Sequence, residues 1–278
     1  MLVPTPLGNI ADMTDRGQTT LRAADVVLCE DTRVTSRLLA VLGIAGRTLL
    51  PLHEHNEDAR IAEVLAMLRA GRRVALVSDA GTPLVSDPGY RLVRAVIAAG
   101  LPVSALPGAN AAVLALVLSG LPPLPFLVLG FPPPRAGARR AAFERLREAE
   151  RSGLSATLIW YEAPHRVAET LADLAAVFGD RPAAVARELT KRYEEVRRGG
   201  LAGLAAAYAA VPPRGEVTLL VGPAPEEAPD AAGLDAALRA ALATHSVREA
   251  VALVAAATGV PRRAVYARAL AMQGDGEG

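Results

Sequence analysis

Cysteine, aromatic residues and lysine are all scarce in this chain, and each scarcity excludes something. One cysteine, Cys29, in 278 residues rules out an internal disulfide. With no CxxC pair or Cys/His cluster, a structural zinc site is ruled out too. A single thiol fits a reducing compartment. Aromatics make up 4% of the chain, so a core must be built from small aliphatic side chains. With 51% hydrophobic and 21% charged residues, disorder of the body of the chain is excluded. Thirty basic against 29 acidic residues leave a net charge of +1. That balance excludes a polycation or an acidic tail but not a local basic patch. The longest apolar run, residues 111–118, is far short of the ~20 residues of a membrane-spanning helix. Met1-Leu2-Val3-Pro4-Thr5 lacks the basic start and apolar stretch of a signal peptide, so a cytoplasmic chain with no membrane partner is expected. The GxGxxG fingerprint, the Walker lysine loop and the GxSxG elbow are all missing, which argues against a dinucleotide-binding dehydrogenase, a P-loop NTPase and a serine hydrolase.

What the chain does have is strand–helix alternation. Residues 26–28 read as a strand, 33–42 and 59–68 as helices, and 74–77 as a wholly apolar strand of the kind found inside a covered parallel sheet. Residues 90–99 form a helix closed by Gly100. Residues 101–106 read as a strand, and Asn110 is placed to cap the next helix. The Pro-rich stretch 120–125 interrupts the pattern as a linker. It restarts with strands at 126–129, 157–160, 184–186 and 217–221 and helices at 141–150, 165–177 and 201–210. Residues 131–140 read as a basic loop. A second linker at 223–229 precedes an all-helical stretch, 234–272, with Ser246 as a cap and a turn at 258–261. The alternation predicts open α/β sheets, in domains spanning 1–120 and 125–222, followed by a small C-terminal helical domain at 230–273.

In open α/β sheets, ligands bind beyond the carboxyl ends of the strands. Three loops there combine glycine, which lets a ligand approach the backbone, with proline, which fixes the path. They are Pro4-Thr5-Pro6-Leu7-Gly8-Asn9, Ser78-Asp79-Ala80-Gly81-Thr82-Pro83 (continuing through Ser86-Asp87-Pro88-Gly89-Tyr90), and Pro107-Gly108-Ala109-Asn110. His53 and His55 flank Glu54 ahead of a helix and suit substrate polarisation or helix capping better than metal binding.

Together, Val3-Pro4-Thr5-Pro6-Leu7-Gly8-Asn9-Ile10, Cys29-Glu30-Asp31-Thr32-Arg33, His53-Glu54-His55-Asn56-Glu57 and Leu76-Val77-Ser78-Asp79-Ala80-Gly81-Thr82-Pro83 resemble successive motifs of one family. Asp87-Pro88-Gly89-Tyr90, Tyr161-Glu162-Ala163-Pro164-His165-Arg166 and Arg187-Glu188-Leu189-Thr190-Lys191 continue the series. The family is the ribosomal RNA small subunit methyltransferases I, cytidine 2′-O-ribose methyltransferases of 16S rRNA, in the tetrapyrrole-methylase (class III) superfamily. The resemblance implies two open α/β domains of the tetrapyrrole-methylase type, S-adenosylmethionine in the cleft between them, and a homodimer. It also implies 16S ribosomal RNA, within the small ribosomal subunit, as partner. By the same resemblance Leu7, Ser78, Asp79, Gly81, Pro83, Pro107 and Gly108 surround the cofactor. Two departures stand out. Only Met1-Leu2-Val3 precede the first loop and Pro4 replaces the usual Gly or Ala, so a clipped first strand and a loosened first loop are expected. The third loop reads Pro-Gly-Ala-Asn where Pro-Gly-Pro is commoner.

Methyl transfer needs alignment and exclusion of water rather than a metal. A ribose hydroxyl needs a base, or a group that stabilises the developing alkoxide. On the acceptor side the candidates are Glu30, Asp31, Arg33, His53, Asn56, Glu188 and Lys191. Lys191 is the only lysine among 30 basic residues. Desolvated in a cleft it would lose its proton where arginine would not; alternatively it pairs with Glu188 or Glu194. Three arginine clusters are candidate phosphate contacts: Arg135, Arg139 and Arg140; Arg192, Arg197 and Arg198; and Arg262, Arg263 and Arg268. The last sits on a helix-turn-helix-like element. Two other functions share these features: a tetrapyrrole-type small-molecule methylase, and a non-catalytic ribosome-binding module.

Overall fold

The apolar tetrapeptide Val26–Cys29 forms β1, buried along its whole length between parallel neighbours β2 (Thr48–Pro51) and β3 (Val74–Leu76). Such a strand has no polar face because helices cover both sides. On one side α1 (Asp15–Ala23) and α2 (Thr32–Val41) bury Leu21 and Leu39 against Val27, Cys29 and Ala75. On the other, α3 (Glu57–Arg69) and α4 (Tyr90–Ala98) bury Val64, Leu92 and Val96 against Val26, Leu28 and Leu76. The computed structural model describes residues 1–53, 56–225 and 231–274; Glu54, His55 and the linker residues 226–229 lie outside them.

The expected strand 101–106 contributes a single bridge, Ala105 to Leu2, and Leu2 in turn bridges Leu76. Its partner is Met1-Leu2-Val3, whose Leu2 N–H donates to the Ser104 carbonyl at 2.8 Å. That tripeptide is pinned. The Met1 ammonium donates to the Val74 carbonyl at 2.9 Å, and Val3 is fully buried. The loop after it is not loosened: Thr5 and Gly81 exchange backbone hydrogen bonds of 2.9 and 3.0 Å.

Capped by Asn110, α5 (Ala111–Ser119) ends at Gly120 and packs on the second sheet. Ala112, Ala115 and Leu116 meet Ile159, Ala184, Ala186 and Leu220 there. That sheet contains β4 (Phe126–Val128), β5 (Thr157–Glu162), β6 (Pro182–Arg187), β7 (Glu195–Gly200) and β8 (Val217–Val221), in the order β4-β5-β8-β6-β7. Only β4 and β5 pair in parallel; the remaining pairs are antiparallel, which alternation alone does not predict. Its other face is covered by α6 (Ala136–Arg151), α7 (Val167–Phe178) and α8 (Leu201–Ala210) around Phe143, Trp160, Leu174 and Leu201. The basic segment 131–140 is only half loop. From Ala136 onward it is already α6, because Arg139 buries its guanidinium on Asp173 of α7, at 2.6 Å.

These two sheets belong to one compact unit, Met1–Pro223; a second unit spans Ala224–Gly278. In the latter, α9 (Ala231–Leu242), α10 (Val247–Thr258) and α11 (Arg262–Gly274) enclose Leu234, Leu238, Val251, Val254 and Val265. Ser246 starts α10 with a reciprocal capping box to Glu249. No helix among the described residues is long and apolar enough to cross a membrane.

Candidate functional site

The three strand-end loops converge. Thr82 Oγ1 donates to the Ala109 carbonyl at 2.8 Å, joining the second loop to the third. The Thr5–Gly81 bonds join the first to the second, and Gly108 packs so closely on Pro4 that a side chain there has no room. The result is a cleft of about 350 Å³ with walls from both sheets of the first unit, within the ~300–1,000 Å³ of small-molecule sites. Leu7, Asp79, Gly81, Ser86 and Asp87 line one wall; Phe131, Tyr161 and residues 215–218 line the other, with Asn110 and Ala111 at the start of α5.

Of the seven residues expected around the cofactor, Leu7, Asp79 and Gly81 face the cleft. Ser78, Pro83, Pro107 and Gly108 stand outside its lining and shape it instead. Ser78 Oγ, for example, closes the turn on the Gly81 carbonyl at 2.8 Å. On the acceptor side, Asp31 caps α2 and pairs with Arg33 at 2.6 Å. Arg33 holds the Asp31 carboxyl down at about 2. The Asp31 N–H donates to Asp79 at 3.2 Å, so the Glu30–Arg33 turn leans on the cleft wall. Asn56 ties its own loop together, accepting from the His53 N–H at 2.9 Å and donating to the Pro51 carbonyl at 3.0 Å. His53 is exposed and, like Asn56, lies outside the cleft lining.

Of the two roles left open for Lys191, the geometry contains the ion pair with Glu188. Its ammonium lies 3.0 Å from Glu188 and 3.2 Å from Glu216. Burial pulls its proton affinity down, but the two carboxylates outweigh it and the net shift is upward. The group is held as a cation, not poised as a free base. The aliphatic stem crosses Gly8, where a Cβ would overlap it. Lys191 thus clamps the first loop to the Glu216 edge of the cleft. The Glu188 carboxylate lies over Gly215, whose φ of +83° and lack of a Cβ make the contact possible.

Sequence reasoning did not single out Asp87 or Tyr161 as site residues. Burial first, then the nearby charges of Glu30 and Asp79, push the Asp87 carboxyl up to about 6; burial also raises Asp79. Burial raises the Tyr161 hydroxyl while the Ala112 backbone beside it acts the other way, and its ring meets Phe131 at 5.7 Å. Asp87 could have been found by asking which carboxylates follow the second loop before the next helix. Backbone strain marks the same places. Among the described residues, left-handed φ at non-glycine positions occurs at Leu84 (74°), Ser86 (68°), Glu188 (51°) and Thr190 (67°). All four fall in segments that build this site, and such strain persists only where the surroundings enforce it.

The arrangement suits a cationic small molecule. Two crowded carboxyl groups line a largely apolar cleft in a chain of nearly zero net charge, so a cation bound there relieves their repulsion. Among the described residues no cluster of three or more His, Cys, Asp or Glu could hold a metal ion. The basic clusters are partly consumed: Arg139 and Arg140 both bind Asp173. Arg197 pairs with Glu195, Arg198 donates to the Leu118 carbonyl at 3.1 Å, and Arg268 pairs with Asp235.

The profile of the tetrapyrrole (corrin/porphyrin) methylases matches residues 1–205, and that of the RsmI C-terminal HTH domain matches residues 227–273. The ribosomal RNA small subunit methyltransferase I of Micromonospora olivasterospora is 50% identical over 272 residues, covering 95% of this chain and 84% of that protein. Its counterpart in Mesorhizobium japonicum is 46% identical over 282 residues, covering 100% and 94%. Among solved structures, the uroporphyrin-III C-methyltransferase from Thermus thermophilus aligns with a TM-score of 0.51 and 25% identity over 79% of this chain and 90% of that one. The methyltransferase CobJ, 23% identical over 79% and 92%, shares the fold with a TM-score of 0.58.

Proposed function

The chain belongs to the tetrapyrrole (corrin/porphyrin) methylases and, within them, to the ribosomal RNA small subunit methyltransferase I family; from that premise we propose that it methylates the 2′-oxygen of a cytidine ribose in 16S ribosomal RNA, with S-adenosylmethionine as donor. The observation that carries this reading is the cleft with Asp79 and Asp87 on one wall and Lys191 at its edge. Bound there, the donor would supply an electrophilic methyl group on a sulfonium.

The residues present fit such a group. Asp79 and Asp87 offer carboxylates to its cationic parts and ribose hydroxyls, Leu7 and Phe131 offer apolar surface, and Gly81 permits close backbone approach. Ser78, Pro83, Pro107 and Gly108 hold that wall in shape. The clamp of Lys191 on Gly8 holds the first loop at the cleft edge and would fix the approach of the acceptor, an orientation effect that lowers the barrier of a displacement. The hydroxyl proton would pass to a solvent water, and the Lys191 ammonium would stabilise the charge growing on the acceptor oxygen as it leaves. Glu188 positions Lys191, and Glu30, Asp31, Arg33, His53 and Asn56 form the acceptor side. The same reading places the enzyme in the cytoplasm, as a homodimer acting on the small ribosomal subunit.

Small subunits lacking the modification, incubated with the protein and methyl-labelled donor, test the proposal. A 2′-O-methyl group removes the nucleophile for alkaline cleavage, so the label should sit at one alkali-resistant linkage after a cytidine. Label on a base, or none, overturns the assignment. Calorimetry with S-adenosylmethionine separately tests the non-catalytic alternative, which requires that no heat of binding be seen.

A further inference from the structure

Tyr193 is 65% exposed on the turn between β6 and β7, two residues beyond Lys191. The turn is braced rather than loose. The Thr190 N–H donates to Glu194 at 2.7 Å, the Lys191 N–H to the Glu188 carbonyl at 3.0 Å, and the Glu194 N–H to the Lys191 carbonyl at 3.2 Å. A large ring is therefore held out into solvent by a rigid support. The Arg192 guanidinium lies 5.6 Å from the ring centroid, within cation–π reach. It backs a ring that stays largely exposed.

Nearby charge points the same way. Among the described residues Arg192 forms no salt bridge, and neither does exposed Arg214, which precedes the cleft residues Gly215 and Glu216. The two turns are joined: the Glu188 N–H donates to the Glu216 carbonyl at 3.0 Å, and the Glu216 N–H to Glu188 Oε1 at 3.1 Å. Two turns joined beside the cleft residues Gly215 and Glu216 thus carry an exposed aromatic ring and two arginines that form no salt bridge among the described residues. Unpaired RNA bases are recognised by stacking on such rings, with guanidinium groups on the flanking phosphates.

We propose that Tyr193, backed by Arg192, is a stacking platform for an unpaired base neighbouring the acceptor nucleotide. The inference rests on the RNA acceptor proposed above and deepens it by naming where the strand is gripped. Tyr193→Ala, at an exposed position, should fold normally. It should raise KM for unmodified small subunits about tenfold, in line with the loss of one base stack. Its kcat should change less than twofold and its affinity for S-adenosylmethionine not at all. Tyr193→Trp should keep KM, and because the chain's own Trp160 is buried, its fluorescence should be quenched by oligocytidylate. An unchanged KM in Tyr193→Ala, or no quenching in Tyr193→Trp, overturns the platform. If the wild-type protein itself transfers no methyl group to subunits, the functional reading fails, while quenching by oligocytidylate still decides the platform.

Discussion

The stem of Lys191 lies directly across Gly8, so that a side chain at position 8 and the lysine cannot occupy their places together. This contact couples the first loop, which reaches the cleft through Leu7, to the turn carrying Glu188 and Tyr193. Gly8→Ala should displace Lys191 from Glu188 and Glu216 and lower methyl transfer at least tenfold, with little loss of stability because Gly8 is exposed. Lys191→Met should have a similar effect by keeping the stem and removing the charge. The double variant should be no worse than either single one, since both remove the same interaction. Multiplicative losses in a double-mutant cycle would show that the two residues act separately.

Asp87 makes the cleft sensitive to pH. Its carboxyl, raised from 3.8 to about 6, binds a proton in the folded chain over a range where the unfolded chain has already released it. Stability therefore falls as pH rises from about 4 to 6, and the deficit persists above that. Asp87→Asn should recover about 1 kcal/mol at pH 7, less than the full shift implies because the group is partly solvated, and should flatten the melting temperature across that window. A cation bound beside the carboxyl lowers its pKa again, so binding of S-adenosylmethionine near pH 6 should release protons. Calorimetry in buffers of different ionisation enthalpy would detect the release in the wild type and not in Asp87→Asn. Equal proton release from both would remove Asp87 from the binding site.

Much of this architecture was legible in the chain because its cues are local. The run Val26–Cys29, the caps at Asn110 and Ser246 and the glycine stops at 100 and 120 each report their own few residues. What escaped depends on partners distant in sequence. β7 carries Arg197 and Arg198 in a strand without apolar alternation, and it exists because β6 supplies a six-residue antiparallel ladder. Lys191 stood out by composition, yet its charge state follows from Glu188 together with Glu216, 25 positions away. Asp87 was visible as a residue, but its burial and its crowding by Glu30 and Asp79 appear only when three loops meet.

The arginine clusters separate by the same logic, and the separation can be measured. Arg139 is 2% exposed, and with Arg140 it neutralises Asp173, itself buried. Removing one partner of such a buried pair strands the other. Arg139→Met should therefore cost about 3 kcal/mol of stability and leave the salt dependence of RNA binding unchanged. Arg262 and Arg263 present the opposite case. Both are exposed in the first turn of α11, where positive charge opposes the helix dipole, so helix stability gives no reason for them. Replacing both with glutamine should raise the stability of the second unit slightly. If each contacts a phosphate, it should also reduce the slope of log affinity against log salt by about 1 per residue. An unchanged slope would confine these arginines to solvent and leave RNA recognition to the rim of the cleft.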